Sequence, residues 1–244
     1  MKNASRSYIF PPLKPTWRRY WKIFISNSNL SIYRALEYEA LSHIKYSGRL
    51  LDFGGGNNAH YVDTIKALLN NGIYESINMD TKIQPAFHVE RGGLFPIHSN
   101  VYDMVLSLNT LEHVYEINIA LSEIVRVLKP GGKIVFGIPF LFRGHGSPDD
   151  FNRPTPSWWY ETLVPLGISE LQITPLVWDI MVTGLSITEY SGPLRSVRRI
   201  LIPLYGLLYS KFKAGGSTDR YPYAMSAALS DFALGYIISG TKTS

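Results

Sequence analysis

The chain has no cysteine, which excludes disulfides and thiolate metal sites and fits a reducing compartment. It also lacks a long apolar run. The best candidate, "ILIPLYGLLYS" from Ile200 to Ser210, stands between Arg199 and Lys211. That is about half of the roughly 20 residues a spanning helix needs. The opening "MKNASRSYIFPPLKP" has no continuous apolar stretch of the secretory kind. A cytoplasmic protein is therefore expected, at most peripheral to the inner face of a membrane. Charged residues make up only 18% of the 244 and apolar ones 45%, the balance of a globular chain that buries a real core. Acidic charge is in deficit, with 19 Asp and Glu against 24 Lys and Arg, a formal net charge of +5. Much of the excess lies in "KPTWRRYWK" (Lys14 to Lys22) and "RSVRR" (Arg195 to Arg199). A solvated face explains such clusters most simply, and no nucleic-acid partner is expected.

What is present alternates. "LSIYRALEYEALSHIKY" (Leu30 to Tyr46) carries apolar residues at helical spacing, and "GRLLDFG" reads as a short buried strand. "AHYVDTIKALLNNG" is a helix with a left-handed stop at Asn71-Gly72, and "ESINMD" a second strand ending in Asp80. "YDMVLSLN" (Tyr102 to Asn109) has the apolar density of a central parallel strand. "INIALSEIVRVLKPGG" predicts a helix closed by Pro130-Gly131-Gly132, followed by the strand "KIVFGIPF" (Lys133 to Phe140). Strands alternating with helices of this length predict an α/β doubly wound sheet. Further on, "SWWYETLVPLG" predicts a helix, "ISELQITPL" a strand, Ser191 to Lys213 a mostly helical insertion and "DFALGYIISGTK" a closing strand. The expected organisation is a basic, aromatic lead-in over 1–29, a main domain over 30–190 and 231–244, and an insertion over 191–230 that serves as a lid or faces a membrane.

Between the first strand and its helix stands "LDFGGGNN", Leu51 to Asn58. Glycines in such a turn let the backbone approach a ligand and leave the helix N-terminus free to bind it. The pattern Gly54-x-Gly56-x-x-Ala59, with Asp80 near a strand end, also meets the dinucleotide fingerprint. The turn by itself therefore admits a nicotinamide cofactor as readily as S-adenosylmethionine. Taken in order, "LDFGGGN", "NMD", "YDMVLSLNTLEHV" and "EIVRVLKPGGKIVF" closely resemble the class I S-adenosylmethionine-dependent methyltransferases, specifically the type 11 group. The resemblance is dense from about Leu30 to Pro139.

That resemblance implies a Rossmann-like seven-stranded sheet whose last strand is antiparallel, with a helical insertion before it. It further implies a methyltransferase with S-adenosylmethionine as cofactor. Asp52 and the backbone at Gly54, Gly55 and Gly56 would hold the methionine end. Asp80 would take both ribose hydroxyls, with Thr81 beside the adenine and the backbone of Leu108 and Asn109 on the sulfonium side. At the family's adenine-reading acidic position this chain has Arg91, with Glu90 next to it, so Glu90 or the backbone near Gly92 and Gly93 would read the base. Asp103 is expected to cap its strand. Glu112 and His113, at the mouth of the site, are expected to form a hydrogen-bonded pair, with His113 as a base the alternative.

After the strand "KIVFGIPF" comes "LFRGHGSPDDFNRPTPSWW", more polar than a connector needs. Its "HGSPDDFNRPT" resembles a type 11 segment linked to envelope polysaccharide and lipid-linked sugar modification. Pro154 stands where that segment usually has an aromatic. Methyl transfer is an in-line displacement at an activated sulfonium, so alignment does most of the work. A base is needed only when the acceptor must lose a proton, as a hydroxyl must. His145, oriented by Asp149 or Asp150, is the candidate. His113, Arg143, Arg153 and Trp158 are candidates for acceptor contact, although Asp150 and Arg153 can also be read as an ion pair holding the loop. No metal site is expected, because the histidines and carboxylates lack ligand spacing on any one element. The expected activity is O-methylation of a sugar or other small polar acceptor, free or lipid-linked. A nicotinamide-dependent oxidoreductase and a non-catalytic S-adenosylmethionine-binding module are the alternatives.

Overall fold

The computed structural model describes residues 9–10, 12–57, 61–69, 71–146, 149–212 and 231–243. Ala59, Pro148 and the predicted link "GGSTD" (Gly215 to Asp219) lie outside them. Among the described residues there are seven strands: β1 Arg49–Phe53, β2 Ile73–Asn78, β3 Phe87–His88, β4 Tyr102–Leu108, β5 Leu128–Pro139, β6 Ile168–Leu176 and β7 Gly235–Lys242. They form one sheet in the order β3-β2-β1-β4-β5-β7-β6. β1, β2, β3, β4 and β5 pair in parallel. β7 runs the other way: Thr243 N–H donates to Gly167 at one end (2.8 Å) and Leu234 N–H to Leu176 at the other (3.0 Å). This is the expected seven-stranded, Rossmann-like sheet with its last strand antiparallel.

The helices are α1 Trp17–Tyr20, which runs on into a π-helical turn over Trp21–Ser26, α2 Ile32–Leu41, α3 Val62–Leu68, α4 Ile117–Val127, α5 Pro156–Leu163, α6 Ile180–Ile187 and α7 Arg195–Phe212. The chain divides into two compact units. The first comprises Met1–His43, Pro139–Arg143 and Thr174–Ile237; the second comprises Ile44–Ile138, Gly144–Ile173 and Ile238–Ser244.

In the second unit the central strands β1 and β4 are buried along almost their whole length. Leu50, Leu51, Val105 and Leu106 are fully buried, as a strand with helices on both faces requires. α4 presents Ile117, Leu121, Ile124 and Val127 to this core, the spacing of one helical face. One expectation fails here. The α4 helix stops at Val127, and Pro130-Gly131-Gly132 lies within β5. Leu128 already pairs with Tyr102, and the ladder then shifts register before Lys133 meets Met104. The Pro-Gly-Gly segment is therefore a bulge in a long strand, with Gly131 at φ +75° supplying the left-handed bend. Asp103, expected to cap its own strand, caps the start of the neighbouring β1 instead: its carboxylate accepts the Arg49 N–H (2.8 Å) and pairs with Lys129 (2.8 Å). These contacts hold it below the usual carboxylate range, the Arg49 N–H contributing most.

In the first unit, α2 carries two buried carboxylates, each with an arginine. Glu39 takes a forked bond from Arg19 and Glu37 pairs with Arg34. Asp179 caps α6 through the Val182 N–H (2.7 Å), and a Cβ on Gly206 of α7 would sit 2.1 Å from its carboxyl oxygen. Burial raises this carboxyl to about 6. α7 leaves Leu201, Tyr205 and Leu208 exposed. Among the described residues no helix is long and apolar enough to cross a membrane.

Candidate functional site

The order β2-β1-β4-β5 places the reversal of strand order between β1 and β4, where open sheets bind ligands beyond their carboxyl ends. A cavity of about 190 Å³ opens there, wholly within the second unit. The end of β1 contributes Phe53 and Gly54, the end of β2 Asn78 and Met79, and the segment after β3 Glu90 to Gly93 and Phe95. Thr110 and His113 follow β4, and Asp149 and Phe151 come from the loop after β5. Two side chains of α4 fix the wall after β3. Glu123 accepts the Phe95 N–H (2.7 Å), and Arg126 donates to the Ile97 and Phe95 carbonyls. Phe53 and Phe95 stack, with ring centroids 5.4 Å apart.

The three glycines are explained first by the protein's own atoms. A Cβ on Gly54, at φ +91°, would lie 2.0 Å from Thr110 Oγ1. One on Gly55 would lie 1.9 Å from the Asp52 carboxylate, and one on Gly56 2.6 Å from the Ile83 carbonyl. No side chain fits at any of these positions without displacing a neighbour. The turn is thereby locked to the end of β4 and to the short 3₁₀ turn Thr81–Ile83, while Gly54 alone of the three lines the cavity.

Asp52 lies beneath this turn, fully buried. Its Oδ2 accepts the hydroxyls of Tyr61 (2.9 Å) and Tyr74 (2.6 Å). Burial raises its carboxyl from 3.8 to about 6, the two phenols opposing that shift. The structure thus places Asp52 behind Gly55 rather than on the cavity wall. Asp80 is exposed just past β2 and caps the Thr81–Ile83 turn through the Lys82 N–H (2.9 Å). Asn78 sits between the two, donating to the Gly54 carbonyl (2.6 Å) and accepting the Asp80 N–H (2.9 Å). Gly92, at φ +66°, is on the wall. Leu108 is buried in β4, and Asn109 turns the chain at φ +52° with its N–H on Gly137. Neither is a wall residue, whereas Thr110 is.

Both residues at the departing position, Glu90 and Arg91, line the cavity. Arg91 pairs with Glu116 (3.6 Å), and its guanidinium lies 5.7 Å from the Tyr115 ring and 5.5 Å from that of Phe151. Tyr115 and Phe151 meet edge to face at 5.4 Å. This cationic and aromatic cover has no signal in the sequence, because its members come from three separate segments.

The loop after β5 folds back onto the 3₁₀ turn Leu111–His113. Phe151 and Asn152 N–H both donate to the Glu112 carbonyl (2.7 and 3.1 Å), and the Asn152 amide reaches the Val114 carbonyl (2.7 Å). Asp150 accepts the His145 N–H (2.9 Å) and a forked pair from Arg153. Burial would raise the Asp150 carboxyl, but these contacts bring it below its usual range. Arg153 is thus the loop's clasp. Folding this way brings His145 to His113, with ring centroids 5.1 Å apart at 81°. Glu112, fully buried, has its Oε1 3.8 Å from His113 Nε2 and 4.0 Å from His145 Nε2. The expected Glu112–His113 hydrogen bond is not formed; His113 Nδ1 meets the Asp149 carbonyl instead, at 2.5 Å. Of the two aspartates expected beside His145, Asp150 faces it, its Oδ2 3.4 Å from His145 Nδ1. Arg143 belongs to the first unit, where it pairs with Glu189 (2.6 Å). Trp158 stands edge to face on the buried Trp159 (5.0 Å).

Residues 49–136 match the model of a methyltransferase domain family, the type 11 group. Solved structures share the fold at low sequence identity. A Haemonchus contortus phosphoethanolamine N-methyltransferase 2, solved with S-adenosylhomocysteine, is 12% identical with a TM-score of 0.52; 95% of this chain is covered, and it spans 54% of that one. A Haloferax volcanii methyltransferase described as putative, solved with its activator Trm112, is 14% identical with a TM-score of 0.53, over 93% and 91% of the two chains. A Thermotoga maritima protein described as a possible histamine N-methyltransferase is 14% identical with a TM-score of 0.52, over 93% of this chain and all of that one, 100%. No curated protein matches in sequence.

Proposed function

From the match of residues 49–136 to a methyltransferase domain family, we propose that the chain transfers a methyl group from S-adenosylmethionine to an oxygen of a sugar or another small polar acceptor, free or lipid-linked. The observation that carries the choice of oxygen is the Glu112–His113–His145 cluster, which touches the cavity through His113. A neutral amine attacks with a lone pair already free, whereas a hydroxyl must shed a proton as it reacts. This cluster is the group beside the cavity that can draw that proton off. The S–CH₃ bond breaks as the O–CH₃ bond forms, and the sulfonium leaves as a neutral thioether. Asp150 positions His145, and the Asp149 carbonyl positions His113. Gly54, Thr110 and Gly92 would flank the cofactor, with Asp80 on its ribose and Glu90 or the adjoining backbone at its adenine. Peripheral membrane contact, where the acceptor is lipid-linked, is assigned to the exposed apolar side chains of α7.

The test is methyl incorporation from labelled S-adenosylmethionine into hydroxyl-bearing sugars and, in parallel, into amines. Label confined to amines would overturn the oxygen reading. His145→Ala should lower kcat while leaving S-adenosylhomocysteine binding intact, and Asp80→Ala should weaken that binding tenfold or more. The Haemonchus and Thermotoga relatives, named for nitrogen acceptors, make the amine arm a demanding control.

A further inference from the structure

Two imidazoles and one carboxylate converge where the loop after β5 crosses the Leu111–His113 turn. Glu112 Oε1, His113 Nε2 and His145 Nε2 each offer one atom, and such ligand atoms of the three residues lie within 4.8 Å of one another. The other ring nitrogen of each histidine faces an oxygen. His113 Nδ1 is 2.5 Å from the Asp149 carbonyl, and His145 Nδ1 is 3.4 Å from Asp150 Oδ2. A carbonyl oxygen only accepts, so Nδ1 of His113 carries the hydrogen. In the neutral ring this leaves the lone pair on Nε2, the atom turned toward Glu112. A carboxylate or carbonyl fixing Nδ1 while Nε2 ligates is how proteins orient metal-binding histidines.

We propose that Glu112, His113 and His145 form a site for a divalent transition metal, zinc by its ligand set. Two histidines and a glutamate are the protein ligands of a common open zinc site, which keeps a further position for water or substrate. Ligands about 2.1 Å from a tetrahedral ion lie about 3.4 Å apart, so separations of 3.8 and 4.0 Å, with no pair beyond 4.8 Å, close when each ligand atom shifts by about 0.7 Å or less. His113 is half-buried on the cavity wall and His145 sits on a loop clasped by Asp150 and Arg153, so the ion has an entry path and its ligands can close. The zinc-binding claim stands on this geometry alone. Its role rests on the acceptor reading above: a hydroxyl bound at the open position would give up its proton to water or buffer at neutral pH, as metal-bound water does. The two histidines then serve as ligands of the proton-releasing centre.

The experiment uses the full chain without a histidine tag, stripped with chelator and titrated with zinc against a chromophoric chelator. Wild type and His98→Ala, an exposed histidine outside the cluster, are expected to bind one zinc per chain. His113→Ala and His145→Ala should each bind at least tenfold more weakly, and cobalt substitution should give visible absorption bands that both variants lose. S-adenosylhomocysteine binding, followed in the same samples, reports whether each variant is folded. Wild type that takes up no zinc, or cluster variants that bind as well as wild type, would overturn the inference. Cofactor binding without zinc would leave the methyltransferase reading standing while this one falls.

Discussion

Replacing Asp52 by asparagine should change how the protein's stability responds to pH. Asp52 is fully buried under Gly55, and its carboxyl is raised from 3.8 to about 6 by that burial, against the opposing bonds from Tyr74 and Tyr61. Between those two values the folded chain holds a proton that the unfolded chain has lost. The stabilising contribution of Asp52 is therefore complete below about pH 4 and disappears as pH rises through about 6. Each tenfold difference in proton affinity is worth about 1.4 kcal/mol, so the gap amounts to about 3 kcal/mol. The amide of the Asp52→Asn variant would keep an oxygen for both phenols but could not titrate. The comparison to make is the difference between wild type and this variant in urea unfolding at pH 4, 5, 6 and 7. Constant effects of the amide cancel in that comparison, as does the similarly raised Asp179. Relative to the variant, wild type should lose about 3 kcal/mol between pH 4 and pH 7. Parallel profiles would refute the claim that burial raises the Asp52 carboxyl.

Gly54→Ala should lower the melting temperature by several degrees and weaken S-adenosylhomocysteine binding, because its Cβ meets Thr110 at 2.0 Å in a left-handed backbone; an unchanged thermal scan would count against this turn geometry. Arg91→Ala should leave unfolding nearly unchanged, since the side chain is 57% exposed. It should, however, reduce cofactor affinity three- to tenfold through loss of the cover it forms with Tyr115 and Phe151, and calorimetric titration decides this. Trp159→Ala, a fully buried ring against Phe136, should cost about 3–5 kcal/mol in urea unfolding; a cost below about 1 kcal/mol would mean the ring is not part of the core.

The elements that were legible in the sequence share a physical origin. β4 and the second half of β5 announce themselves because a strand covered on both faces needs a nearly unbroken apolar run, and α4 because one helical face must be apolar. The glycines of "LDFGGGNN" were equally plain, yet their reason was not. They were read as room for a ligand; the structure adds that a Cβ there would meet Thr110, Asp52 and Ile83, while Gly54 still lines the cavity. The Pro130-Gly131-Gly132 stop was misplaced because a bulge inside a strand and the end of a helix use the same residues. Asp103 was read as a strand cap, but the N–H it meets is on the neighbouring strand, that of Arg49, a pairing no local pattern shows.

By itself, then, the sequence determined the class of fold, which follows from periodicities that span a few neighbouring residues, and it implied the cofactor only through the resemblance of several motifs, taken in order, to a known family. Only the tertiary structure decided how the site is furnished. Asp52 lies behind Gly55 with Tyr61 and Tyr74 on its carboxylate, Arg91 is part of a cover with Tyr115, Glu116 and Phe151, and Arg153 is a clasp. His145 met His113 and Glu112 because the loop after β5 is hydrogen-bonded across the Leu111–His113 turn. A cluster whose members are distant in the chain is written in backbone bonds and packing, and neither leaves a local pattern in the order of the residues.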